Sequence, residues 1–103
     1  MENQRLEILQ QMVARKPNDS FARYGLAMEY AGRDEYDLAL ENFHTLLNVN
    51  PDYAAAYYQA GQIFIKTGQT EQAKSIFRKG IEVTSRLGNQ HAQSELEAAL
   101  AQL

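Results

Sequence analysis

The sequence predicts an all-α fold of about six antiparallel helices, arranged as a helix–turn–helix solenoid. Three observations carry this expectation. The chain matches itself when displaced by 34 residues. Its apolar residues recur at i, i+3, i+4 and i+7, the period of an amphipathic helix. Proline or glycine stands at each break: Pro17, Gly32, Pro51, Gly68 and Gly88.

The displacement places Pro17 on Pro51, Ala22 on Ala56, Tyr24 on Tyr58, Ala39 on Ala73, Phe43 on Phe77 and Val49 on Val83. Tyr30 meets Phe64, and Leu47 meets Ile81. Matches spread over a whole period are the mark of a repeat architecture. The 103 residues are read as one domain in four parts: 1–16, 17–50, 51–87 and 88–103.

Residues 1–16 read as a leading helix. Leu9, Met12 and Val13 align with Phe43, Leu46 and Leu47, so this segment resembles the second helix of a pair whose first helix is missing. In 17–50, Asn18 to Ala31 forms the first helix, with Arg23, Leu26, Ala27 and Tyr30 on its core stripe and Asn18 or Ser20 as its cap. Gly32 and Asp34 interrupt it, since both tolerate a left-handed backbone. Glu35 to Val49 follows, with Tyr36, Ala39, Leu40, Phe43, Leu46 and Leu47 inward. Asp34 and Asp37 there resemble a capping box, and Pro51 ends the helix.

In 51–87, Asp52 is expected to cap a helix that runs to about Lys66 and stops at Thr67-Gly68. Gln69 or Thr70 opens the next, with Ala73, Ile76, Phe77, Gly80 and Ile81 inward. No proline stands at Ser85, so this helix continues to Arg86 or Leu87, with Gly88 as its stop and Asn89 as the next cap. The last helix carries Ala92, Leu96, Ala99, Leu100 and Leu103 on one stripe and Gln90, Gln93, Glu97 and Gln102 on the other. An apolar inner and a polar outer face suit a terminal cap.

The two inner segments resemble the tetratricopeptide repeat, whose pattern is W-x2-L-G-x2-Y…A-x3-F…P over 34 residues. The first reads Arg23-x2-Leu26-Ala27-x2-Tyr30, Ala39-x3-Phe43, Pro51. The second reads Tyr57-x2-Ala60-Gly61-x2-Phe64, Ala73-x3-Phe77, with Ser85 in place of proline. Arg23 also departs from the usual large aromatic. Small residues at Ala27, Ala39, Ala60, Gly61 and Ala73 let helices approach, and Tyr30, Phe43, Phe64 and Phe77 fill the core between contacts.

The resemblance implies a concave groove, lined by one flank of each first helix, that receives peptide segments. On this chain the flank is Phe21, Tyr24, Met28 and Ala31, then Ala55, Tyr58, Gln62 and Ile65. Aromatics and methionine suit an apolar or extended peptide. Tyr24, Met28, Tyr58 and Ile65 read equally well as groove or core, the core alternative having the last helix lie over Tyr58 and Ile65. Some members of the family hold a C-terminal carboxylate with Lys, Asn and Arg. The matching places here are Tyr24, Met28, Tyr58 and Gln62, which lack the cations; Arg33 and Lys66 stand near the rim.

The expected function is a non-catalytic protein–protein interaction module or scaffold. The alternative is a self-associating structural protein, a homodimer joined through the uncovered side of Leu9, Met12 and Val13. The net charge of −3 and ten scattered basic residues argue against nucleic acid as a partner. Without cysteine there is no disulfide, thiolate site or cysteine catalysis. His44 reads as solvated and His91 as a packing or capping residue. Neither has a second ligand three or four residues away, so no metal or cofactor is expected. No phosphate loop or nucleophile motif marks an enzyme. The start MENQRLEILQQ has no apolar signal core, and no segment is a membrane span; a cytoplasmic, free-standing protein is expected. The last helix lacks the Lys and Arg of a membrane-surface helix.

Overall fold

The structure is a computed structural model and describes residues 2–103. Among these it has six α-helices and no strand: α1 (Glu2–Arg15), α2 (Ser20–Gly32), α3 (Tyr36–Val49), α4 (Ala54–Lys66), α5 (Thr70–Leu87) and α6 (Gln90–Ala101). They fall into two compact units, one ending at Asn50 and the other running Pro51–Leu103. No helix among the described residues is long and apolar enough to cross a membrane.

In the N-terminal unit α1 packs on α2 and α2 on α3. The cap of α2 is Asp19, not Asn18 or Ser20: its carboxylate accepts the Ala22 N–H at 3.1 Å. A charged acceptor suits the positive end of the helix dipole. Ser20 is already the first helical residue, and its hydroxyl oxygen accepts from Asn50 Nδ2 at 3.3 Å. After α2, Asp34 takes the left-handed conformation with φ 59°. The expected capping box of Asp34 and Asp37 does not form, because α3 starts after Glu35 without a side-chain cap. Asp34 Oδ1 instead accepts the Tyr36 hydroxyl at 2.9 Å.

Ala22, Leu26, Ala27 and Tyr30 of α2 meet Ala39, Phe43 and Leu46 of α3 in the buried core. The Tyr30 hydroxyl accepts from Gln10 Nε2 of α1 at 3.0 Å, which ties its polar tip to the first helix. Arg23 lies on the expected core stripe half-buried, with its stem and its guanidinium Nε covered and the Nε without a hydrogen-bond partner. Its guanidinium reaches Asn42 Oδ1 at 3.0 Å and the Pro17 carbonyl at 3.2 Å.

In the C-terminal unit α5 lies between α4 and α6, and α4 also touches α6. The cap position of α4 falls on Tyr53, one residue after the expected Asp52, and the Tyr53 side chain makes no cap bond. The Asp52 carboxylate pairs with Arg86 at the far end of α5, a partner of opposite charge. Gly68 (φ 75°) follows α4, and Gly88 (φ 72°) stops α5 as expected. Asn89 then caps α6 by accepting the Ala92 N–H at 3.2 Å.

The core of this unit is Ala56, Tyr57, Ala60, Gly61 and Ile63 of α4, Ala73, Phe77, Gly80, Val83 and Thr84 of α5, and Leu96 of α6. Phe64, expected in the core, keeps partial exposure in the last turn of α4, and Ile63 is buried instead. Ile76 and Ile81 are likewise only half-buried, and Ala73, Phe77, Gly80, Val83 and Thr84 form the buried face of α5. The Thr84 hydroxyl donates to the Gly80 carbonyl at 2.8 Å, so its burial leaves no polar group unmet.

Two glycines hold the three helices at close range. A Cβ on Gly61 would lie 2.7 Å from Phe77 Cδ1 and closer still to Cε1. A Cβ on Gly80 would lie 2.7 Å from Tyr57 Cβ and 2.9 Å from Leu96 Cδ1. The alanines show the same economy: Ala27 and Ala73 have no exposed surface. Ala27→Leu and Ala73→Leu should each destabilise the fold by about 1–3 kcal/mol through overpacking. Thermal melting read by circular dichroism checks this, and unchanged midpoints in both variants would contradict the packing.

Candidate functional site

Tyr57 and Tyr58 are adjacent, yet 100° of helical rotation separates their tasks. Tyr57 is buried and its hydroxyl donates to the Pro51 carbonyl at 2.6 Å. Burial, and then the charge of Asp52, hold its phenol above the ordinary tyrosine value near 10. The unfolded chain therefore releases this proton at lower pH than the folded one. Stability from Tyr57 is complete below about pH 10 and falls as pH rises toward the raised value. The hydrogen bond to Asp34 also raises the Tyr36 phenol, so a spectrophotometric alkaline titration should show two late-ionising tyrosines, one of which is missing in Tyr57→Phe.

Tyr58 is half-buried. One side of its ring lies on Phe77, with centroids 6.4 Å apart and planes at 43°. The remainder faces a cavity of about 540 Å³ together with Gln62 and Ile65 of the same α4 flank. The opposite wall is α6 and the two residues after it, through Glu95, Ala98, Ala99, Gln102 and Leu103. The last helix thus stands beside the α4 flank and leaves space between them. Leu96 anchors this wall, since it is buried against Gly80. The walls are mostly aliphatic and aromatic, with the two glutamine amides for hydrogen bonding and Glu95 as the single charged side chain. Such a mixture fits the usual make-up of a binding cleft.

Of the expected flank residues in this unit, Tyr58, Gln62 and Ile65 share the cavity. Ala55 is exposed and does not line it. In the N-terminal unit the flank is less concentrated. Phe21 is 77% exposed. Tyr24 is half-buried, edge-on to Phe43 with centroids 5.9 Å apart and planes at 61°. Met28 lines a smaller cavity of about 420 Å³ with Glu29, Gly32 and Arg33, and Ala31 is half-buried. Arg33 donates from Nε to Glu29 at 3.1 Å, and Arg5 reaches the same carboxylate at 3.0 Å. Arg33 at the rim is therefore engaged by Glu29. Lys66 is exposed and does not line the larger cavity.

The part that sequence reasoning missed is the second wall. Glu95 and Ala98 belong to neither the apolar stripe nor the polar face assigned to the last helix. The steps of three and four residues from Glu95 to Ala98 to Gln102 are a signal, but only once the position of α4 is known. Both histidines are exposed. His91 Nε2 lies 3.8 Å from a Glu95 carboxylate oxygen, an ion pair only when the imidazole is protonated. Among the described residues no group of three or more His, Cys, Asp or Glu is placed to hold a metal ion.

Comparison with known proteins agrees with this architecture. A family model described as tetratricopeptide repeat matches residues 30–103. The chain is 36% identical to the tetratricopeptide repeat domain protein of Salinibacter ruber, covering 82% of this chain and 93% of that one with a TM-score of 0.76. It is 28% identical to YrrB, a TPR protein with an unusual peptide-binding site, over 82% of this chain and 43% of that one, again with a TM-score of 0.76. It is also 25% identical to anaphase-promoting complex subunit 3 of Schizosaccharomyces pombe over 79% of its own length, and spans only 12% of that subunit. The repeat period, the small and large residues in phase, the helix pairs and the family match together place this chain in the tetratricopeptide repeat family.

Proposed function

We propose that the chain is a non-catalytic, cytoplasmic scaffold module that holds an extended segment of a partner protein against the exposed flank of its first helices. The observation that carries this reading is the open cavity between α4 and α6, with Tyr58, Gln62 and Ile65 on one wall. Similarity to YrrB, which has a peptide-binding site, supports the same reading. In the N-terminal unit Phe21, Tyr24, Met28 and Ala31 are the corresponding contact residues, and Ala55 adds to the α4 flank.

A clean test must spare the core. Tyr24 and Tyr58 both lean on buried phenylalanines, so alanine at either place would also loosen the fold. Ala98 is exposed and lines the cavity; Ala98→Arg obstructs the space with no core contact to lose. Peptides selected on the wild type from a random phage library should bind Ala98→Arg at least roughly tenfold more weakly, about 1.4 kcal/mol, while circular dichroism stays helical. Equal affinity in the folded variant would sink the proposal.

A second reading has its own support. Ile8 and Met12 of α1 are 52% and 40% exposed, one helical turn apart. Two copies that cover this edge for each other would form a homodimer. Light scattering decides: a strict monomer at high micromolar concentration removes this reading.

A further inference from the structure

The cavity between α4 and α6 has an electrostatic bias that its apolar floor does not explain. Glu95 is its single charged lining side chain. Throughout α6 the acidic groups are Glu95 and Glu97, and the helix carries no Lys or Arg. His91 Nε2 stands 3.8 Å from the Glu95 carboxylate and is cationic only when protonated. No lysine or arginine of the described residues lines the cavity. An acidic segment laid here would meet a carboxylate with no compensating cation, which is unfavourable. A segment with Lys or Arg would meet a charge of opposite sign at the rim and keep its aliphatic neighbour on Tyr58 and Ile65.

Resting on the binding reading above, we infer that the partner segment carries an aliphatic side chain beside a lysine or arginine, the first seated between Tyr58, Ile65 and Ala98 and the second paired with Glu95. The Glu95 side chain is 55% exposed, so the pair acts in partial solvent. Its effect is that of a surface ion pair, roughly two- to fivefold in affinity. Selectivity is larger than this figure, because an acidic residue in the same position is repelled as well as unpaired.

The experiment uses the full chain and a random-peptide phage library. Peptides retained by the wild type should be enriched in Lys or Arg next to Leu, Ile, Val or Met. A synthetic peptide from that set should bind Glu95→Gln roughly two- to fivefold more weakly at low salt, and the difference should close at high salt. Exchanging its basic residue for Glu should weaken binding to the wild type by roughly four- to twenty-fivefold and restore part of it on Glu95→Lys. Retained peptides without basic enrichment, or equal affinity for wild type and Glu95→Gln, would overturn the inference and leave the binding proposal standing. No retained peptide at all would overturn both, and self-association in light scattering would then name a second copy as the occupant.

Discussion

Truncation of Phe77 to alanine is expected to destabilise the protein by about 3–5 kcal/mol. The ring has no exposed surface. It lies directly against Gly61, where no side chain is present to collapse into the vacated space. Tyr58, the cavity residue, also rests one side of its ring on it. The net stability of a small domain is only about 5–15 kcal/mol, so this single change removes a large share. The thermal midpoint should fall on the order of 20 °C. Phe64→Ala is the internal comparison. That ring is half-exposed and its loss should cost less than half as much. Equal shifts for the two variants would contradict the assignment of Phe77 to the core.

Gly61→Ala is expected to destabilise by about 1–3 kcal/mol, although alanine is the better helix former by about 1 kcal/mol. The sign is decided by the ring of Phe77, which three of its own atoms bring within contact of the added methyl group. Because Phe77 is fully buried, it has nowhere to withdraw. A double-mutant cycle checks the cause. In a Phe77→Leu background the same glycine substitution should cost at least about 1 kcal/mol less, since residues in contact couple and distant ones do not. Additive urea-unfolding energies would show that the glycine acts through something other than this ring.

Most of the fold was legible because the repeat fixes it twice. Ala39 with Phe43 and Ala73 with Phe77 stand at the same spacing, and all four are buried. Gly68, Gly88 and Asn89 carry their local signals openly, because a left-handed residue or a cap is a property of a few neighbouring atoms. The errors arose where another side chain takes the group that a local rule assigns to a helix cap. Asp52 has the look of a cap but finds Arg86, which lies 34 residues away. Asp34 is drawn to the Tyr36 hydroxyl and Ser20 to Asn50. The placement of Phe64 and Ile63 turned on a small rotation of α4, which periodicity alone does not resolve. At the candidate site, the α4 flank could be listed by rotation from Leu26 and Ala60. Its facing wall depends on the angle at which α6 leaves Asn89, and no local residue encodes that angle.

The anchoring of α6 by Leu96 on Gly80 has a consequence for how such a module could diverge. One inward leucine settles where the helix sits, and the cavity-facing positions Glu95, Ala98 and Gln102 are all exposed. Substitution there alters the shape and charge offered to a ligand with little penalty to folding, since surface changes are usually within about 0.5 kcal/mol. The chain therefore separates what must stay constant from what is free to drift. A library varied only at these three places, on an otherwise fixed backbone, is the natural starting point for giving this scaffold a new preference.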